Sequence, residues 1–208
     1  MSDTNTNKAD AVVASFDWQT ATYEEIEAAR NKVLKARRED FLDKGQYVKY
    51  IYTFNSWQRF WVFAGHCDTD QLTDGEYWTT LRDVWINRKT PYDVKDIIRQ
   101  NKIGLGLFED DRAGREALMT DEEKEALRNM PDNITICRGH NSVAGKMGLC
   151  WTTDKDVAKR FARSEHNLRA GTDGYVTEGK CKKADVLAYF HEGEAEIVIN
   201  PKNVIVTT

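Results

Sequence analysis

Apolar residues recur along this chain at two periods, and the change from one to the other falls near residue 131. Before it the spacing is helical. Thr22-Tyr-Glu-Glu25 is a capping box, in which a threonine hydroxyl and a glutamate carboxylate satisfy each other's backbone N–H groups. Ile26, Ala29 and Val33 follow on one helix face. Thr73-Asp-Gly-Glu76 repeats the box ahead of Tyr77, Leu81, Val84 and Trp85. Thr90-Pro91-Tyr-Asp93 sets a hydroxyl before a proline at the first helical position, leading into Val94, Ile97 and Ile98. Thr120-Asp-Glu-Glu123 opens a short helix with Ala126 and Leu127. The stretch "YVKYIYTFNSWQRFWVFAG" is aromatic all round and predicts a buried helix or helix pair.

Beyond Met130 the period shortens to that of strands. "NITIC" at 133–137, "LCW" at 149–151, "GYVTEG" at 174–179, "DVLAY" at 185–189, "EAEIVI" at 194–199 and "NVIVT" at 203–207 are all short. One helix interrupts them, "DKDVAKRFARS", with Val157, Ala158, Phe161 and Ala162 on one face. Short strands with a single early helix predict an α+β domain on antiparallel sheets. The expected division is a flexible terminus over 1–20, a helical region over 21–118 and a sheet domain over 119–208.

Composition narrows the classes. Six Trp, eight Tyr and eight Phe in 208 residues are ample for a core. No run of 18 apolar residues exists, so no membrane span is expected. The first residues lack both the basic start and the apolar segment of a signal peptide, which suggests a cytoplasmic protein. Cys67, Cys137, Cys150 and Cys181 show no CxxC spacing and read as reduced thiols, with no metal site expected. A net charge of −4 argues against wholesale wrapping of nucleic-acid backbones. The basic run "KVLKARR" alternates with apolar positions and reads as a solvated helix face.

Three places could carry chemistry. Arg138 continues the face of Ile134 and Ile136, where an apolar residue is expected, and Gly139 after it lets a ligand or a backbone approach closely. A guanidinium there suits a bidentate grip on phosphate, or else a structural pairing with a carboxylate. At Trp151-Thr152-Thr153-Asp154 a strand ends in two hydroxyls before a helix capped by Asp154 or Thr153. Capping accounts for one hydroxyl but not both, and Trp151 is either core or a flat face for an aromatic ring. In "HEGEAEIVIN" three glutamates stand two apart. If the strand begins that early, Glu192, Glu194 and Glu196 share one face and repel, with Ala195, Ile197 and Ile199 opposite. The plain alternative is an edge strand whose carboxylates discourage aggregation. Weaker signals are "HCD" at 66–68, read as a helix end, and "IGLGL" at 103–107, which lacks the third glycine of a dinucleotide fingerprint.

Taken in order, an arginine at a strand end, hydroxyls after a strand and Glu-x-Glu entering an apolar strand resemble the Arg–Ser–Glu class of mono-ADP-ribosyltransferases. The matching residues are Arg138, the Trp151-Thr152-Thr153 segment in place of Ser-Thr-Ser, and Glu194-Ala195-Glu196 before "IVI". The family's first serine falls on Trp151 or Cys150, depending on the alignment. The wording from "MTDEEKEALRNMPDNITICRGH" to "WTTDKDVAKRFA" is also similar to such proteins of phages and their bacterial hosts. The resemblance implies a split antiparallel sheet whose cleft takes NAD as substrate without a metal. It implies that Arg138 holds a phosphate or ribose and that Gly139 exposes backbone to the nicotinamide amide. Thr152 and Thr153 would bond the nicotinamide ribose and orient Glu196, and Trp151 would join the cofactor-binding set as a flat face for a nicotinamide or adenine ring. Glu196 would stabilise the oxocarbenium ion, and Glu194 would orient or deprotonate the acceptor, with Arg138, Glu194 and Glu196 as the catalytic set. A macromolecular acceptor follows, expected to be arginine of a host protein in the host cytoplasm. Nucleic acid is an open alternative. An NAD glycohydrolase and a non-catalytic binding protein of the same fold are the rival readings.

Overall fold

The structure is a computed structural model and describes residues 8–17, 19–66, 71–88, 94–140, 143–163 and 174–207. Its contacts divide the chain into two units, residues 1–88 and 89–208. The second unit therefore takes in residues 89–118, which the sequence reading assigned to the helical region.

The first unit is helical among its described residues: α1 (Lys8–Ala14), α2 (Tyr23–Asp43), α3 (Tyr47–Tyr52), α4 (Ser56–His66) and α5 (Asp74–Ile86). Both capping boxes form as the sequence requires, Thr22 with Glu25 at the start of α2 and Thr73 with Glu76 at the start of α5. Residues 8–14 were expected within a flexible terminus, yet α1 buries Ala9 completely against Val33 and Ala36 of α2. The aromatic stretch resolves into the pair α3 and α4. Phe60 and Phe63 of α4 stack edgewise and obliquely on Trp85 and Tyr77 of α5, with ring centroids 5.7 and 5.3 Å apart. Trp57 is 51% exposed, so α4 has one wet face rather than burial all round. The basic face of α2 is not wholly solvated either. Arg38 lies 3.6 Å over the Phe54 ring and donates from Nε to the Thr53 hydroxyl at 2.9 Å. His66 ends α4, while Cys67 and Asp68 of "HCD", like the Thr90-Pro91 cap, lie outside the described residues.

The second unit is α+β, as predicted. Its elements are α6 (Val94–Phe108), α7 (Asp121–Asn129), β1 (Asn133–His140), α8 (Val143–Lys146), β2 (Cys150–Thr152), α9 (Lys155–Ala162), β3 (Tyr175–Lys182), β4 (Val186–Phe190), β5 (Glu196–Ile199) and β6 (Ile205–Val206). "IGLGL" lies inside α6 and makes no phosphate loop. The strands form one antiparallel sheet in the order β4-β5-β2-β1-β3-β6. Strands β1 and β3 pair over eight positions, whereas β1 and β2 share only Cys137 with Thr152. The sheet is thus two three-stranded halves joined at one rung.

Strict alternation sorts the side chains onto two faces. One face carries Ile134, Ile136, Trp151, Cys181, Tyr189, Ile197 and Ile199, and Ala126 and Leu127 of α7 pack on it. The other face lies under α9, and there Phe190 meets the Phe108 ring of α6 at 6.4 Å. Helix α9 is amphipathic and buries Val157, Ala158 and Ala162. No helix among the described residues is long and apolar enough to cross a membrane.

Candidate active site

The register of the sheet assembles the site. Thr152 stands opposite Glu196 on β5, Cys137 stands opposite Thr152, and Glu178 of β3 stands opposite Cys137. Directly opposed residues of antiparallel strands project to the same side. A row Glu178–Cys137–Thr152–Glu196 therefore crosses four strands on the α9 face. Thr152 and Glu196 are both buried, at 5% and 8% exposure. A carboxylate is rarely this buried without partners, so its position is a built feature and not a surface accident.

Strand β5 begins at Glu196, and this revises the expected ladder of glutamates. Residues 192–194 form a turn, with φ of +72° at Gly193 and +44° at Ala195. A left-handed alanine is uncommon and persists where its surroundings hold it. Here the Ala195 carbonyl accepts from the Thr153 N–H at 3.2 Å, and its methyl packs on the core. Two of the three glutamates, Glu192 and Glu194, are exposed on this turn, and Glu196 alone enters the sheet. The like-charge ladder is dissolved by the backbone.

The hydroxyl segment is equally specific. Thr152 Oγ1 donates to the Glu194 carbonyl at 2.6 Å and accepts from the Asp154 N–H at 3.0 Å. Asp154 is the N-cap of α9, accepting from the Asp156 and Val157 N–H groups at 2.8 and 3.3 Å. Capping thus uses neither threonine hydroxyl. Thr153 is exposed, and its hydroxyl takes no hydrogen bond among the described residues. Thr152, not Trp151 or Cys150, is the residue facing Glu196.

Three expected cofactor residues have other duties. Trp151 is 2% exposed within the α7-side core, and its indole N–H donates to the Gly148 carbonyl at 2.9 Å, so its ring offers no free face to a ligand. Arg138 leaves the sheet on the face opposite to Thr152 and Glu196, by alternation from Cys137. Its Nε donates to the Gly145 carbonyl at 2.5 Å and its Nη1 donates to the Cys150 carbonyl. The guanidinium lies so close to Gly148 that a Cβ there would sit 2.3 Å from Cζ. The arginine braces the segment between α8 and β2 through main-chain carbonyls. Gly139 is explained by backbone approach: a Cβ there would lie 2.0 Å from the Ala158 carbonyl oxygen and 2.6 Å from the Ala162 nitrogen. It is α9 that occupies this space on that face.

No protein-family model, curated protein or solved structure matches this chain. The chemistry of the site is therefore read from its own residues.

Around the row the electrostatics are modest. Lys155, at the start of α9, pairs with Glu178, which raises the lysine pKa. Burial and then Glu178 push the Cys137 thiol up, so it is a poor nucleophile at neutral pH. Among the described residues no group of three or more His, Cys, Asp or Glu could hold a metal ion. Sequence reasoning missed Glu123, which it took only as a cap. This residue is 2% exposed; its Oε2 accepts from the Thr120 N–H at 2.8 Å and its Oε1 accepts from the His191 N–H at 3.0 Å. The spacing Thr-x-x-Glu announced the first bond, but nothing local could announce the second, 68 residues away.

Proposed function

We propose that this protein cleaves the glycosidic bond of NAD at Glu196 and transfers ADP-ribose to a macromolecular acceptor. The observation that supports the reading best is the pairing of Glu196 with Thr152: a buried carboxylate opposite a buried hydroxyl, entered from a turn that carries a second, exposed glutamate. Breaking the bond between the ribose C1′ and the nicotinamide nitrogen develops positive charge on the sugar. A carboxylate fixed beforehand favours that charge without reorganising at the moment of reaction. Nicotinamide departs with the bonding electrons, and the acceptor supplies the pair that forms the new bond to C1′. In this reading Glu194, on the turn, takes the proton that the acceptor loses. NAD then meets Thr152, Thr153, Glu194 and Glu196, and Arg138 and Trp151 take no part in holding it. Arginine of a host protein is the acceptor class that the family resemblance suggests.

Incubation of the full chain with labelled NAD and a bacterial lysate tests the reading. Unaltered protein should release nicotinamide and label macromolecules, with Glu196→Gln reducing release by about 10³-fold. Protease or nuclease treatment of the product assigns the acceptor class. Release without label selects water as the acceptor. A second reading, a non-catalytic module of this fold, is favoured by the commitment of Arg138 to main-chain carbonyls away from the glutamates. It prevails if the unaltered protein and Glu196→Gln are equally inert toward NAD.

A further inference from the structure

The turn that carries Glu194 and delivers Glu196 is held on two sides. From the α9 side, the Thr152 hydroxyl and the Thr153 N–H bind the carbonyls of Glu194 and Ala195. At its other end stands Glu123. One oxygen of this buried carboxylate closes the capping box of α7 on the Thr120 N–H, and the other takes the His191 N–H, the residue at which β4 passes into the turn. The same junction is tied twice more. The Tyr189 N–H donates to Met119 Sδ at 3.3 Å, and the Tyr189 hydroxyl and His191 Nδ1 lie 3.0 Å apart. A capping glutamate ordinarily serves its own helix and faces water. This one is buried and spans two elements, tying the start of α7 to the start of the turn.

We propose that Glu123 is a positioning residue for the carboxylates of Glu194 on the turn and Glu196 just beyond it, setting where they stand relative to a bound dinucleotide. The proposal rests on the NAD-consuming reading above. Glu123 itself touches no reacting atom; it acts through His191 and the four residues that follow. A displacement of about 1 Å at the reacting groups costs on the order of 10²-fold in rate. Loss of the tie should therefore lower kcat while leaving the Michaelis constant for NAD nearly unchanged, because the parts of the site that bind the dinucleotide without reacting are untouched.

The experiment measures nicotinamide release by the full chain and by three variants. Glu123→Ala removes both hydrogen bonds and should lower kcat about 10- to 100-fold. Glu123→Asp keeps the charge but is shorter by one methylene, about 1.5 Å, and falls short of His191; it should behave like the alanine variant and replaces it where alanine folds poorly. Glu123→Gln keeps one carbonyl oxygen for the His191 N–H but turns an NH2 group toward the Thr120 N–H, so its kcat should lie between those of the unaltered chain and Glu123→Ala. Amide exchange at His191 should quicken in the first two variants and not in the third. The proposal is overturned if kcat of Glu123→Ala and Glu123→Asp equals that of the unaltered chain while that chain turns over NAD, or if Glu123→Gln is as slow as Glu123→Ala. Absence of NAD turnover by the unaltered chain overturns the functional reading first, and this proposal with it.

Discussion

Replacing Gly139 by alanine distinguishes a glycine kept for a ligand from one kept for a helix. The added Cβ would lie 2.0 Å from the Ala158 carbonyl oxygen, 2.6 Å from the Ala162 nitrogen and 2.9 Å from the Phe161 Cβ. Ordinary contact begins at 3.4 Å, so the first approach is 1.4 Å too close. Two of the obstructing atoms belong to backbone and cannot swing aside as a side-chain tip could. Relief requires α9 to lift, which loosens the burial of Val157, Ala158 and Ala162 and pulls on the Asp154 cap. Overpacking of this kind costs about 1–3 kcal/mol, and a rigid backbone obstacle belongs at the upper end, about 3 kcal/mol. For a chain of this length that corresponds to a fall in melting temperature of roughly 6–12 °C. Urea unfolding followed by circular dichroism should show a lower midpoint with an unchanged slope. A variant that melts within about 1 °C of the unaltered chain, yet binds NAD more weakly, would refute the helix-contact account and return Gly139 to the ligand.

Two further outcomes follow from hydrogen bonding and ionisation. Thr152→Val preserves shape but removes the bonds to the Glu194 carbonyl and the Asp154 N–H. Both orphaned groups belong to exposed residues and can turn to water, so the loss should be about 1–2 kcal/mol, read as a reduced urea midpoint; no reduction would remove Thr152 from its bracing role. In the first unit, burial first and the Asp83 carboxylate second push the Tyr52 hydroxyl up to about 12. Because the folded state then holds its proton more tightly than the unfolded state, the stabilisation is complete below pH ~10 and is lost as pH rises through about 12. Ultraviolet titration should lose one late phenolate in Tyr52→Phe, and the variant's stability should fall less steeply over that window.

Much of the second unit was legible in the order of residues. Each of the six strand segments forms a strand, and the Thr120 box opens α7, because alternation and capping are local physics. The site was only half legible. Alternation already implied that Arg138 and Glu196 part company: Arg138 shares a face with Ile134 and Ile136, Glu196 opposes Ile197 and Ile199, and both isoleucine pairs line one core. Combining the two patterns needs the assumption that the strands join a single sheet, which no short window of sequence contains. The turn at 192–195 was hidden for a different reason. A left-handed alanine carries no compositional signal; it is imposed by Thr153 and the core around it. Trp151 could be core or platform until its neighbours were known, since an indole suits both. The reach of Glu123 to His191 is likewise purely tertiary.

The lone rung between β1 and β2 has a mechanical consequence. Shearing β1 from β3 means undoing eight opposed positions, but parting the two halves of the sheet undoes one, together with the bond from the Arg138 guanidinium to the Cys150 carbonyl. With net hydrogen-bond contributions of about 1 kcal/mol each, that seam is far cheaper to part than the ladder between β1 and β3. What stiffens it is not the ladder but α9, which rests on β1, β2 and β3 together like a splint across a joint. The firmness of that joint is set by how closely one short helix lies on a glycine.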